Sequence, residues 1–238
     1  DGFKAVFDPF DSSNIFALVQ NGALYNVTNF LSFTTGFNQN DDFPWDMPYM
    51  VSHHAQEMYA GSYRIYHNAS TYVPDWKPIS GDLTDGGYHR YHYITSIDES
   101  PKSKYLLFAG TSDGRAWKSL NKGKTWIDIT KGLPKRYITQ ILASENDSNT
   151  LYVTQSGYMY NEFVPHIYMS TDLGASWQTI SGDLPPVATN CLLVNKSNDS
   201  ILFAGTDVGV YATTDLGQTW KRLGNNMPIF PITELAIE

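Results

Sequence analysis

The chain has 238 residues, of which 24 are acidic and 16 basic, and its formal net charge is −8. This balance argues against a nucleic-acid-binding protein, which needs clustered lysine and arginine, and no apolar run approaches the roughly 18 residues of a membrane-spanning helix. Aromatic residues make up 14% of the chain and charged residues only 17%, which excludes a disordered or coiled-coil protein.

In chain order, the same series of short segments recurs. A first apolar segment opens each unit, at Lys4–Phe7, Tyr49–Ser52, Ile94–Ile97, Ile138–Leu142, Asn190–Val194 and Ile232–Ile237. A second one follows at Ile15–Val19, Met58–Gly61, Leu106–Gly110, Leu151–Thr154 and Ile201–Gly205. Four of the five units then have a motif ending in tryptophan, and these tryptophans are 50, 51 and 43 residues apart. Each unit closes with a turn. Four short strands in a unit of this length are typical of a propeller blade.

The repeats predict an all-β fold, a β-propeller of four-stranded antiparallel blades with about five blades present. The predicted blades cover residues 1–40, 41–84, 85–134, 135–185 and 186–230, and residues 231–238 form the first strand of a further blade. Because both ends supply the same strand, we expect part of a larger propeller with seven or more blades. The start at Asp1, without an initiator methionine, leads to the same expectation of a processed or partial chain.

A motif that we call the box, Ser/Thr-x-Asp/Asn-x-Gly-x-Thr/Ser-Trp, occupies residues 119–126, 170–177 and 213–220. A worn copy ends at Trp76, with Ala69, Thr71 and Val73 at the key positions, and residues 26–36 take its place in the first unit. The Asp or Asn side chain can accept hydrogen bonds from backbone N–H groups, and the glycine permits positive φ. We therefore predict a structural role for Ser119, Asn121, Gly123, Trp126, Ser170, Asp172, Gly174, Trp177, Thr213, Asp215, Gly217 and Trp220.

The three boxes resemble the Asp-box, or bacterial neuraminidase repeat, of sialidases, xyloglucan-cleaving glycoside hydrolases and sortilin receptors. Residues 205–211 and 223–228 are similar to segments of secreted bacterial proteins of glycosyl-hydrolase-like type. The resemblance covers nearly the whole chain and implies the propeller fold and a secreted or cell-surface location, bacterial extracellular or periplasmic. It implies no single activity, because such repeats serve many functions.

The loops that enter first strands and those that join second and third strands lie on one face of a propeller, which we call the loop-rich face. Three of these loops, residues 38–48, 84–93 and 155–166, are long or aromatic, and such loops collect binding residues. Aromatic planes beside carboxylates suit a glycan or a peptide, although each aromatic side chain can equally pack on its own blade. The predicted ligand-binding residues are Trp45, Tyr49, Arg90, Tyr91, His92, Arg136, Tyr158 and Tyr160.

A glycosidase needs two carboxylates about 5 to 10 Å apart. Four carboxylates are eligible by their predicted face: Asp46, Asp85, Asp113 and Glu162. For Asp113 the alternative is a tight hairpin turn at Ser112-Asp113-Gly114. The Arg-Ile-Pro motif common in sialidases is absent, and the xyloglucanase arrangement uses two propellers, of which this chain can hold one.

No metal site and no cofactor are predicted. The single cysteine, Cys191, excludes a cysteine-based zinc site and an intrachain disulfide. We expect a secreted or cell-surface propeller that binds or scaffolds a glycan or protein ligand and contacts the rest of its own polypeptide or a larger assembly. The alternatives are part of a xyloglucanase-like or sialidase-like glycoside hydrolase and a sortilin-like peptide-binding receptor. Nucleic acid and a membrane span are not expected.

Overall fold

The computed structural model describes residues 3–86, 92–224 and 226–236. It contains five four-stranded antiparallel sheets, in each of which the strands lie side by side in chain order, so the predicted all-β propeller fold is confirmed. We number these sheets as blades one to five. The strands are β1 (Ala5–Asp8), β2 (Asp11–Leu18), β3 (Leu24–Asn26), β4 (Leu31–Ser32), β5 (Tyr49–Val51), β6 (Met58–Gly61), β7 (Ile65–Asn68), β8 (Lys77–Pro78), β9 (Ile94–Glu99), β10 (Leu107–Thr111), β11 (Ala116–Ser119), β12 (Ile127–Asp128), β13 (Tyr137–Ala143), β14 (Leu151–Ser156), β15 (His166–Ser170), β16 (Gln178–Thr179), β17 (Thr189–Asn195), β18 (Asn198–Thr206), β19 (Gly209–Thr213) and β20 (Lys221–Arg222).

The first strands of the blades are neighbours around an axis: β1 contacts β5, β5 contacts β9, β9 contacts β13, and β13 contacts β17. They surround an axial cavity of about 730 Å³, which residues from all five blades and residues 233–235 line. A blade therefore presents its first strand to the axis and its fourth strand to the rim.

The apolar cores lie between neighbouring blades. Strand β10 is buried at every residue, because the adjacent blades cover both of its faces. Strand β2 in blade one instead alternates, with Asn14, Phe16 and Leu18 buried and Ser13 and Ile15 exposed. Only one face of blade one is covered by the described residues, and that face packs against blade two.

A tryptophan joins each pair of neighbouring blades. It stands directly before the fourth strand, and its indole N–H donates to the carbonyl of the residue that follows the fourth strand of the preceding blade. The pairs are Trp76 with Phe33 at 2.8 Å, Trp126 with Ile79 at 3.3 Å, Trp177 with Ile129 at 2.8 Å, and Trp220 with Ile180 at 3.1 Å. We call this contact the indole joint.

The worn copy of the box differs from its predicted alignment. Strand β7 ends at Asn68, just as β11 ends at Ser119, so Asn68 and not Ala69 takes the place of the first serine. The turn to Trp76 is consequently one residue longer than a box. In blade one Asn26 ends β3 and takes the same position.

Residues 231–236 carry no assigned strand. The N–H group of Ile232 donates to Thr206 O at 3.0 Å, and its side chain packs with Cys191 and Val210. Cys191 itself is buried. That residues 231–238 begin a further blade stays a prediction.

Candidate functional site

The 38–48 loop is held to blade two by a buried carboxylate. Asp41 accepts two hydrogen bonds from the Arg64 guanidinium, at 2.7 and 2.8 Å, and one each from the hydroxyls of Tyr66 and Tyr63. Burial alone would raise the pKa of Asp41, but the hydrogen bonds from Arg64, Tyr66 and Tyr63 outweigh it and lower the pKa. Asp41 is therefore an anchor that keeps the loop on the loop-rich face.

This loop carries the exposed Trp45 and, next to it, Asp46, which borders the axial cavity. Trp45 is exposed and meets the ring of Phe3 edge-on, with ring centroids 6.2 Å apart. Asp46 lines the cavity together with Lys4 and Glu234. Desolvation by the surrounding residues raises the pKa of Asp46, Lys4 opposes the shift, and Glu234 adds to it. A carboxyl group with a raised pKa can act as a proton donor at higher pH than an ordinary aspartate.

Tyr49 does not lie where a ligand can reach it. Its side chain is 3% exposed. Its hydroxyl donates to two carbonyl oxygens of blade one, Lys4 O at 2.7 Å and Phe16 O at 3.2 Å. Burial raises the pKa of this phenol. The structure therefore places Tyr49 in the core between blades one and two, which contradicts its prediction as a ligand-binding residue.

Two of the predicted residues in blade three, Arg90 and Tyr91, lie outside the described residues. His92 is described: its Nδ1 is 3.3 Å from Ser112 Oγ, and its Nε2 is 3.9 Å from Asp85 Oδ1. Asp85 is also 3.4 Å from Lys135 Nζ. The Asp85 carboxylate thus lies between two basic side chains from blades three and four.

The structure favours the turn interpretation of Asp113. Its side chain is fully buried, with Oδ2 3.4 Å from Arg115 Nε. Gly114 follows at φ +88°, and a Cβ there would lie 2.6 Å from Arg136 O, so the turn is pressed against blade four and only glycine fits. A substrate has no access to this carboxylate in the structure.

Arg136 organises the loop-rich end of blade four. Its Nε donates to Glu162 Oε2, and its guanidinium carbon lies 4.3 Å from the centre of the Tyr160 ring. His166 Nε2 is 3.5 Å from the same Glu162 oxygen. The hydrogen bond from Arg136 is the main cause that lowers the pKa of Glu162. Buried Gln155 fixes Arg136 from below by donating to its carbonyl at 3.0 Å.

Beside Arg136, residues 158–164 form an exposed loop that we call the 158–164 loop. It begins with a 3₁₀ turn, Tyr158–Tyr160, that contains no buried residue. Tyr158 and Tyr160 are 70% and 52% exposed, as their prediction as ligand-binding residues requires. Three further apolar side chains of the loop are also exposed: Met159, Phe163 and Val164. Sequence reasoning overlooked these three, although an apolar run without strand alternation after β14 was their signal.

Two further findings concern metal ligands and membrane-spanning helices. In residues 3–86, 92–224 and 226–236 no group of three or more His, Cys, Asp or Glu side chains is placed to hold a metal ion. In the same part of the chain no helix is long and apolar enough to cross a membrane.

Comparison with known proteins places the chain among propellers. The family model described as "Sortilin, neurotensin receptor 3" matches residues 114–231, just under half of the chain. No curated protein matches the sequence at a significant level. Among solved structures, the GH74 enzyme of Niastella koreensis has a TM-score of 0.70 at 14% identity, and an ancestral GH74 enzyme one of 0.68 at 15% identity. The GH74 xyloglucanase of Xanthomonas campestris has a TM-score of 0.56 at 12% identity.

Each of these three matches covers 93% of this chain. The chain spans 38% of the Niastella enzyme, 31% of the ancestral enzyme and 45% of the Xanthomonas enzyme. At such low identities the likeness extends to the propeller fold alone, since folds of this kind carry unrelated functions.

Proposed function

We propose that the chain is an Asp-box propeller that acts outside the cell or at its surface and binds a glycan or protein ligand on its loop-rich face. The observation that carries this proposal is the 158–164 loop, which exposes five apolar side chains, three of them on the 3₁₀ turn that contains no buried residue. Exposed apolar groups that are clustered on a rigid base are typical of a binding surface.

The contacts between Arg136 and that loop support ligand recognition. Arg136 is already stacked on Tyr160 and paired with Glu162. Its guanidinium therefore loses little further conformational entropy when a ligand binds. Trp45 supplies a second exposed aromatic plane on the same face. Aromatic rings stack on sugar rings and also pack against apolar peptide side chains.

The carboxylates favour binding over hydrolysis. Glu162 is paired with Arg136 and His166, Asp85 lies beside His92 and Lys135, and Asp113 is buried. A glycosidase requires one protonated and one ionised carboxyl group that face each other across the substrate. The pKa of Asp46 is raised, as a proton donor needs, but the hydrogen bond from Arg136 lowers the pKa of Glu162.

The glycoside hydrolase remains the alternative because Asp46, with its raised pKa, borders the axial cavity, whereas the pKa of Glu162 is lowered. An assay of the chain on xyloglucan tests it: release of reducing sugar that Asp46→Asn abolishes would favour the enzyme. The family-model match to residues 114–231 supports a second alternative, a sortilin-like peptide receptor.

The binding proposal is tested with a glycan array and a peptide library, followed by titration of any ligand found. We expect Tyr158→Ala with Tyr160→Ala to weaken binding at least about tenfold, since stacking on an aromatic ring contributes about 1 kcal/mol or more. Tyr105→Ala is the matched control, because Tyr105 is an exposed tyrosine that precedes β10 at the opposite end of the blades. Silence on both libraries, or equal losses for the two variants, would refute the proposal.

A further inference from the structure

The acceptor residue of every indole joint has the same surroundings. Phe33, Ile79, Ile129 and Ile180 each follow a fourth strand and donate their N–H to the third strand of their own blade, at distances of 2.8 to 2.9 Å. Their side chains then pack under the next blade, so that Phe33, Ile129 and Ile180 are only 2%, 4% and 6% exposed. Each acceptor residue thus contributes two parts to the joint: its carbonyl accepts the indole hydrogen bond, and its apolar side chain packs against the next blade.

Leu223 is the corresponding residue of blade five. It directly follows β20, and its N–H donates to Val210 O at 2.8 Å, as in the other four blades. Its side chain, however, is 45% exposed, and no described residue donates to its carbonyl oxygen. Blade five therefore presents half of an indole joint.

Ile232 occupies the place of the next blade's first strand. It stands nine residues after Leu223, the same spacing that separates Ile138 from Ile129 and Thr189 from Ile180. Its side chain lies against Gly205, where a Cβ would be 2.8 Å from Ile232 Cγ2. Strand β13 meets blade three in the same way, since a Cβ at Gly110 would be 2.4 Å from Ile138 Cγ2.

The backbone repeats this correspondence. The N–H group of Ile94 donates to Ser62 O at 2.7 Å across the boundary from blade three to blade two. Ser62 follows Gly61, as Thr206 follows Gly205, and the N–H group of Ile232 donates to Thr206 O at 3.0 Å. Residues 232–236 are therefore seated against blade five as β9 is seated against blade two.

We propose that this edge of blade five, formed by Leu223 and residues 232–236, receives the three outer strands of a sixth blade of the same polypeptide. The tryptophan of that blade donates its indole N–H to Leu223 O and covers the Leu223 side chain. The contact continues an interface that already joins blades one to five, so it needs no new kind of packing.

A second copy of the chain does not fit this edge as well. Its open end is blade one, which brings its own first strand β1 into a position that residues 232–236 already fill. Blade one also has Phe30 directly before β4, where the other blades have tryptophan, and the phenylalanine side chain has no N–H group to donate. The same polypeptide is therefore the favoured source of the missing strands.

The experiment extends the chain with its own outer strands. Because residues 232–238 correspond to 189–195, a second copy of residues 196–223 is fused after Glu238, which keeps the spacing of blade five. We expect the extension to raise the melting temperature by on the order of 5 °C. We also expect amide hydrogen exchange at residues 232–236 to slow at least about tenfold, because outer strands cover and hydrogen-bond this segment.

Two variants isolate the joint. Replacing the tryptophan of the added copy (W220A in that copy) should remove most of the gain in melting temperature. Leu223→Asp should leave the unextended chain nearly unchanged, because Leu223 is exposed there, and should abolish the gain in the extended chain. Exchange in the 158–164 loop serves as the internal control and should not change.

An extended chain with the melting temperature and exchange of the parent would overturn the proposal. So would a gain that survives both variants, because the added strands would then stabilise the chain at another place. Concentration-dependent dimerisation of the unextended chain that Leu223→Asp abolishes would assign this edge to a second copy instead.

Discussion

Blades three to five and blades one and two make the turn before the fourth strand with different chemistry. In blade four the Ser170 hydroxyl donates to Asp172 Oδ1 at 2.7 Å and accepts the Gly174 N–H at 2.7 Å. Blades three and five repeat this arrangement with their own box residues, in which Asn121 and Asp215 are the acceptors. A hydroxyl and a side-chain oxygen acceptor together organise each of these three turns.

In blades one and two each turn is instead organised by one asparagine side chain. The Asn68 side chain donates to the carbonyls of Ser70 and Val73 and accepts the Asp75 N–H. Asn26 accepts the N–H groups of Thr28 and Asn29. The indole joint is nevertheless retained between these blades. The difference teaches that the turn can change its residues while the contact between blades is constrained.

The largest effect is expected where the joint is most buried. Trp76 is 1% exposed and stacks on Phe37 with ring centroids 4.8 Å apart, so Trp76→Ala should cost about 3 to 5 kcal/mol of unfolding free energy. Trp126 is only half-buried, and its indole hydrogen bond is the longest of the four joints. Trp126→Ala should therefore cost about half as much unfolding free energy. Urea denaturation measures both values. Trp76→Phe is the control that keeps the ring and removes the donor. Equal costs at the two tryptophans would mean that burial does not set the strength of the joint.

The next largest effect distinguishes the two kinds of turn. Asn68 is fully buried, and Asn68→Ala leaves two carbonyls and one N–H group of the turn without their partner, at a cost of about 2 to 3 kcal/mol. Ser170→Ala removes one hydroxyl while the Asp172 carboxylate still accepts the Ser176 N–H at 2.9 Å, so about 1 kcal/mol is expected. Thermal unfolding of the two variants side by side compares them. A larger loss for Ser170→Ala would reverse the assignment of the asparagine turn as the less redundant one.

The fold was predictable because its signals are local and repeated. Each box has glycine and tryptophan at fixed spacing, and the tryptophan recurs even where the turn is worn, as at Trp76. The worn turn itself was misaligned by one residue, because the identity of Asn68 as the turn organiser depends on hydrogen bonds to Ser70, Val73 and Asp75 and not on the box pattern.

The candidate site was less predictable because burial in a propeller depends on the neighbouring blade. Trp45 and Tyr49 are both aromatic and four residues apart, yet Trp45 is exposed and Tyr49 is enclosed by blade one. Asp113 likewise reads as a surface turn residue until Gly114 brings it against Arg136. Such facts depend on contacts between residues far apart in sequence, which periodicity does not encode.

A third test concerns the glycine of the box. Gly174 has φ +81°, and a Cβ there would lie 2.6 Å from Ile129 Cδ1 and 2.9 Å from Ile129 Cβ, so Gly174→Ala should cost about 2 kcal/mol from backbone strain and overlap. Gly224 has a similar φ of +76° but its nearest neighbour, Met227 Cβ, would be 4.0 Å away. Gly224→Ala should therefore cost about 1 kcal/mol, the backbone share alone. Matching losses in chemical denaturation would show that the box glycine is needed for its φ and not for its contact with the preceding blade.

The smallest effect separates the turns by pH. Hydrogen bonds from Ser176 and Ser170 lower the pKa of Asp172 to about 2, and those from Thr213 and Thr219 lower the pKa of Asp215 to about 2. Because the folded pKa lies below the ordinary value of 3.8, these carboxylates stabilise the protein above about pH 4, and this stabilisation is lost as the pH falls towards 2. The asparagine turns of blades one and two have no such titration. The double variant Asp172→Asn, Asp215→Asn should therefore show a flatter dependence of melting temperature on pH between about 4 and 2. At pH 7 it should remain close to the parent, since Asn121 already occupies this position in blade three.

A slope equal to that of the parent would locate the acid sensitivity in other carboxylates, and Glu57 would be the next group to replace. Burial raises the pKa of Glu57, but hydrogen bonds from His67 and Lys122 outweigh it and lower the pKa to about 2.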